Sequence, residues 1–181
     1  MNNYLKLPLI PLRGKVAFPN INITFEAGRT MTLKAIEHAS AGNRLVMICA
    51  QRETEKDNID ATDLYSVGCV AKIKQVVQVT NNVVRVVCQG LYRAKTKAVS
   101  VEEESFFAHV DEIKTIHGDD VLEEAYFRTA KELVKDVLLN DGKIPKEVAS
   151  GLEKISNPDE YINIAISAMR VRLDIKQSIL E

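Results

Sequence analysis

The sequence predicts an α+β chain: a curled antiparallel β unit with one inserted helix, followed by a small helical bundle. Three observations carry this reading. Up to about residue 116 the apolar residues fall mostly in short runs rich in Val and Ile. From His117 onwards they recur with a period of about 3.6 residues. Only residues 31–41 break the first pattern. The expected division is a β-rich part at 1–116 and a helical part at 117–181.

Residues 7–19 (LPLIPLRGKVAFP) open the β part. Pro8, Pro11 and Pro19 fix φ and remove backbone donors, which excludes helix and argues against a central strand. Leu7, Leu9, Ile10, Leu12, Val16 and Phe18 are too apolar for a tail, so an edge strand lying against a core is expected. A short strand at 21–26 closes at Ala27-Gly28. The helix at 31–41 puts Met31, Ala35, Ile36 and Ala39 on one face, with Thr30 as its cap and Gly42-Asn43 as its stop. Residues 45–50 (LVMICA) suit a strand buried on both faces. Residues 51–63 are polar and acidic and read as a solvated loop. Residues 67–79 and 83–88 form the clearest hairpin, turning at Thr80-Asn81-Asn82. Their alternation slips near 75–77, where a bulge would curl the ribbon. Gly90 then interrupts before a strand at 91–101, and 106–113 closes the sheet.

In the second part, Asp119 can cap a helix whose Leu122, Tyr126, Ala130, Leu133 and Val137 form one stripe, expected to pack inward. Asn140-Asp141-Gly142 ends it. A short helix follows with Pro145 in its first turn and Val148, Leu152 and Ile155 on one side. Asn157, Pro158 and Glu160 make a capping box for a third helix, with Ile162, Ile166, Met169 and Leu173 inward. Asp174 and Gln177 repeat a cap signal, and Ile175, Ile179 and Leu180 begin another apolar stripe. A helix of barely two turns is marginal alone, so the chain is expected to be cut inside a longer helix, the alternative being a short helix docked on the bundle.

Composition narrows the function classes. The chain of 181 residues is 46% hydrophobic and 27% charged, with a formal net charge of −1. That balance gives no global attraction to nucleic acid or to an anionic membrane. No apolar run approaches the ~18 residues that span a bilayer. The start MNNYLK has neither a signal nor a transit character, so a cytoplasmic location is expected. Cys49, Cys69 and Cys88 sit in strand-like runs and read as free core thiols. No phosphate loop, nucleophile elbow or paired-His motif occurs, and no catalytic, cofactor or metal residue is assigned. Between Asp63 and Glu102 there is no acidic residue, while Lys72, Lys74, Arg85, Arg93, Lys95 and Lys97 are basic. These are expected to pair with neighbouring acidic loops. A basic face that holds RNA or an acidic partner is the other reading, and the scarcity of aromatics in this segment counts against RNA.

Seven motifs occur in order along the chain: Leu7 to Arg13 (LPLIPLR), Phe18-Pro19, Gly28-Arg29, Ala50-Gln51-Arg52, Asp63 to Gly68 (DLYSVG), Gly90 to Ala94 (GLYRA), and a close formed by Ile144 to Val148 (IPKEV) with Lys176 to Glu181 (KQSILE). Together they resemble the N-terminal domain of the Lon ATP-dependent proteases. Gly14 departs from the Asp that this family often places after the Arg. The resemblance implies a PUA-like pseudo-barrel of six strands followed by a helical bundle. It also implies a non-catalytic part that engages unfolded or degron-bearing proteins and supports hexamer assembly. ATP and Mg would belong to an ATPase module, and Ser/Lys proteolysis to a further module, both outside this chain. A receptor for unfolded chains needs exposed apolar surface. The candidates are Phe18 and Pro19, and the hairpin tip with Val77, Val79 and Val83. A stand-alone binding module for RNA or a small ligand is the alternative.

Overall fold

The computed structural model describes residues 5–140 and 146–181. Two compact units emerge: one runs to Ile113 and is rejoined by Leu173–Glu181, and the other spans Lys114–Arg172.

In the first unit, β1 (Leu5–Leu12), β2 (Asn22–Ala27), β3 (Leu45–Ala50), β4 (Val67–Thr80), β5 (Val83–Glu102) and β6 (Ser105–Glu112) make one sheet in the order β2-β5-β4-β3-β1-β6. β5 pairs again with β6, which closes the strands into a pseudo-barrel. β3 alternates between two cores: Val46 and Ile48 enter one, Met47 and Cys49 the other. Its continuous apolar run is therefore buried on both faces, as the composition requires. The helix α1 (Thr30–Ala41) lays Ala35, Ile36 and Ala39 on the first core. Thr30 is its first residue, not its cap. Arg29 takes the cap position without a side-chain bond.

Three expectations about strands need correction. β1 is not an edge strand, and the sheet is not wholly antiparallel. Leu5–Pro8 pairs antiparallel with β6, whereas Leu9–Leu12 pairs parallel with β3. Each half of β1 thus has one partner, so Pro8 and Pro11 need not donate on a second side. Gly90 does not break a strand either. β5 runs through it, and the glycine serves a close approach instead. A Cβ there would lie 2.0 Å from the Phe18 carbonyl oxygen. Residues 51–63 form the expected, largely exposed loop, and it is pinned at Gln51. The buried Gln51 amide accepts from Arg29 Nη2 (3.0 Å) and donates to the Lys56 carbonyl (2.7 Å). Asp60 caps a single 3-10 turn at Ala61–Asp63.

The three cysteines are free and buried, and burial pushes each thiol up to about 12. At about pH 8 they should stay protonated and inert towards a thiol reagent until the protein is denatured. Rapid modification of the native chain, followed by absorbance, would contradict this packing.

In the second unit, Asp119 Oδ1 accepts from the Val121 and Leu122 amides and starts α2 (Asp120–Asn140). α3 (Lys146–Leu152) and α4 (Pro158–Ala168) follow, and Asn157 Oδ1 caps α4 through the Glu160 amide (2.9 Å). The stripe expected to pack inward faces out: Leu122, Tyr126, Leu133 and Val137 are 47–68% exposed. The buried side is carried by Leu138 with Phe127 and Val134, against Leu152, Tyr161 and Ala165. Phe127 meets Tyr161 edge to face at 5.3 Å. Ile162 is likewise exposed, while Ile166 is buried. Residues 141–145, which carry the expected Asp141-Gly142 stop, Pro145 and the start of the Ile144 to Val148 motif, lie outside the described residues.

Leu173 does not extend α4. It begins α5 (Leu173–Leu180), which belongs to the first unit. Gln177 and Leu180 are its buried residues, and Gln177 Nε2 donates to the Val67 carbonyl of β4 (2.9 Å). Of the apolar stripe read from the sequence, Ile175 and Ile179 are 43% and 40% exposed and Leu180 is buried.

Candidate functional site

The candidate surface residues separate into two groups. Phe18 is 1% exposed and Pro19 is buried. Their loop turns at Asn20, whose φ is 62°, and is bonded to β5 by Asn20 N to Gly90 O (3.0 Å) and Gly90 N to Ile21 O (2.9 Å). These two residues are core, and the expectation that they offer a contact surface is corrected. The absence of a side chain at Gly90 is what lets the loop settle so closely.

The hairpin tip is different. β4 runs well past its neighbour β3, and Asn81-Asn82 joins it to β5 in a two-residue connection. β3 pairs with β4 only up to Lys72, whereas β2 stays beside β5 out to Val84, one residue from that strand's start at Val83. Past Lys72 the β4 side of the hairpin is an arm with an uncovered edge. Every residue from 74 to 80 is exposed. Val77 and Val79 are each 44% exposed and Val83 is half-buried. Val76, not anticipated from the sequence, joins them at 37%. Successive strand residues point to opposite faces, so Val76 and Val77 put apolar surface on both. The bulge expected near 75–77 lies to either side of that stretch, as register shifts between Ile73 and Gln75 and between Gln78 and Thr80.

One signal in the sequence could have drawn the outline of this arm. Residues 75–84 (QVVQVTNNVV) carry no charge in a chain that is 27% charged. Charge resumes at Arg85, which pairs with Glu26 of β2 at 2.7 Å. Lys97 pairs with Asp111 of β6 at 3.2 Å, so these two basic residues find acids on adjacent strands instead of in loops. Lys72, Lys74 and Lys95 are exposed.

Other sites are less developed. A cleft of about 250 Å³ in the second unit is lined by Lys131, Leu138, Leu152 and Tyr161 among others. Among the described residues, no group of three or more His, Cys, Asp or Glu is placed to hold a metal ion. No helix among them is long and apolar enough to cross a membrane.

Comparison with known proteins adds the following. The family described as the ATP-dependent protease La (LON) substrate-binding domain matches residues 6–181. The chain is 30% identical over 190 residues to a Lon protease of Clostridioides difficile, covering 99% of this chain and 24% of that protein. It is 31% identical over 177 residues to the Lon protease of Escherichia coli K12, covering 98% and 23%. The chain thus spans about a quarter of the length of these curated relatives. Its fold is similar to the N-terminal domain of a Lon protease from the Mycobacterium avium complex, with a TM-score of 0.80, 17% identity and coverage of 97% and 89%. A Lon N-terminal domain protein from Xanthomonas campestris gives a TM-score of 0.53 at 15% identity, covering 91% and 99%.

Proposed function

The chain belongs to the family of the ATP-dependent protease La (LON) substrate-binding domain, and from that premise we propose that it holds unfolded or degron-bearing protein segments for proteolysis by a cytoplasmic, hexameric Lon-type serine protease. The chain itself contributes binding and assembly contacts. ATP and Mg act in an ATPase module, and peptide hydrolysis takes place in a Ser/Lys module; neither module is part of this chain. The single observation that best supports the reading is the uncharged arm, where valines stand exposed on both faces next to polar glutamines and asparagines. Apolar surface with a polar rim accepts many sequences, because burial is non-directional and demands no particular partner geometry.

The test is binding of β-casein, a disordered protein, to the purified chain at two salt concentrations. Apolar capture predicts a dissociation constant that changes less than about threefold between roughly 50 and 200 mM salt. The competing RNA reading rests on exposed basic residues such as Lys72, Lys74 and Lys95. Under that reading, polyuridylate would bind in preference to casein, and its affinity would fall by about tenfold or more over the same range.

A further inference from the structure

A strand at the edge of a sheet presents unpaired backbone N–H and C=O groups. Natural sheets guard such edges with lysines, prolines or covering elements. β3 leaves β4 at the Leu45–Lys72 pair, and its side of the sheet makes a last backbone bond from Ile73 N to Arg44 O (2.8 Å). Beyond it, residues 74–80 pair only with β5. β2 cannot cover the open edge, because it lies on the far side of β5. The usual guards are missing as well. Lys74 stands at the root, and residues 75–84 contain no charge, no proline and no glycine. Between the two register shifts the ladder is regular: Gln75, Val76, Val77 and Gln78 face Val87, Val86, Arg85 and Val84 in turn. The arm is therefore an open strand edge with four consecutive residues in register.

We propose that residues 75–78 of β4 receive an extended segment of a client polypeptide as an added β-strand. This rests on the substrate-binding reading above and specifies how that substrate is recognised. Main-chain hydrogen bonds give attachment that ignores sequence, while Val76 on one face and Val77 on the other select the side chains that flank them. The favoured class is an unfolded stretch of about five residues rich in Val, Ile and aromatics and free of proline. A folded protein, whose strands are already paired, does not qualify.

The experiment uses the 181-residue chain with three probes: β-casein, a decapeptide rich in valine and isoleucine, and the same decapeptide fully N-methylated. Residue-resolved amide exchange is followed by NMR. The expected result is slowed exchange within residues 75–78 on adding the decapeptide or casein, and binding at least about tenfold weaker after N-methylation, which removes the peptide's donors. Equal binding of the methylated peptide, or casein binding with these amides unprotected, overturns the added strand and leaves the substrate-binding reading standing. If neither casein nor the decapeptide binds, both fall. Protection already present in the free chain, growing with its concentration, would assign the edge to a second copy and also overturn the proposal.

Discussion

Gly90→Ala is expected to destabilise the first unit by about 3 kcal/mol and to lower its melting temperature by roughly 10 °C. The methyl group would meet the Phe18 carbonyl oxygen at 2.0 Å and the Phe18 carbonyl carbon at 2.9 Å. Backbone cannot yield as a flexible side chain can. The Phe18 loop must then lift, which lengthens the bonds between Gly90 and the Asn20 and Ile21 backbone and withdraws a 1%-exposed Phe from the core. Gly68→Ala should behave similarly, since its Cβ would lie 2.2 Å from the Ile48 carbonyl oxygen on β3. Gly118→Ala is the control, because a Cβ there meets nothing within 4 Å. Circular dichroism melts of the three variants check the contrast. A Gly90→Ala melt equal to that of wild type would mean that the Phe18 loop does not rest on β5.

The double change Val77→Asp with Val79→Asp is expected to weaken casein binding by at least about 30-fold, near 2 kcal/mol, with little change in the melting temperature. Both side chains are 44% exposed and lie beyond the reach of β3, so the fold loses little buried area when they change. In the complex the loss is larger. Two apolar contacts disappear, and two carboxylates face a surface that would strip them of water. Isothermal titration with the melt run alongside separates loss of binding from loss of fold.

Much of this architecture could be read from the residues. The LVMICA run, the valine-rich hairpin, the Asn157-Pro158 start of α4 and the Asp119 cap are local signals, and each places its element within a residue or two. The failures share one cause: they depend on which distant segment comes close. Phe18-Pro19 is apolar whether it is core or contact surface, and only the approach to Gly90 decides between them. α2 bears two apolar stripes. The longer one, through Leu122, Tyr126, Leu133 and Val137, is the more periodic, but the residues that face α4 are Phe127, Val134 and Leu138. Periodicity reports that a face is apolar and says nothing of what covers it. The same holds for α5, where Gln177 is buried because the Val67 carbonyl accepts its amide across 110 positions of sequence. In the candidate site, Val77, Val79 and Val83 are legible one by one, whereas Val76 is not. Nor is the free edge of β4, since it arises from where β3 stops pairing.

The most direct test compares casein affinity among three folded proteins: wild type, the Val77→Asp and Val79→Asp pair, and a Leu133→Asp and Val137→Asp pair on the exposed stripe of α2. Capture by the arm predicts that the first pair loses binding by at least about 30-fold while the second stays within about threefold of wild type. Wild-type affinity in the arm variant, with the loss appearing on α2 instead, would contradict the account.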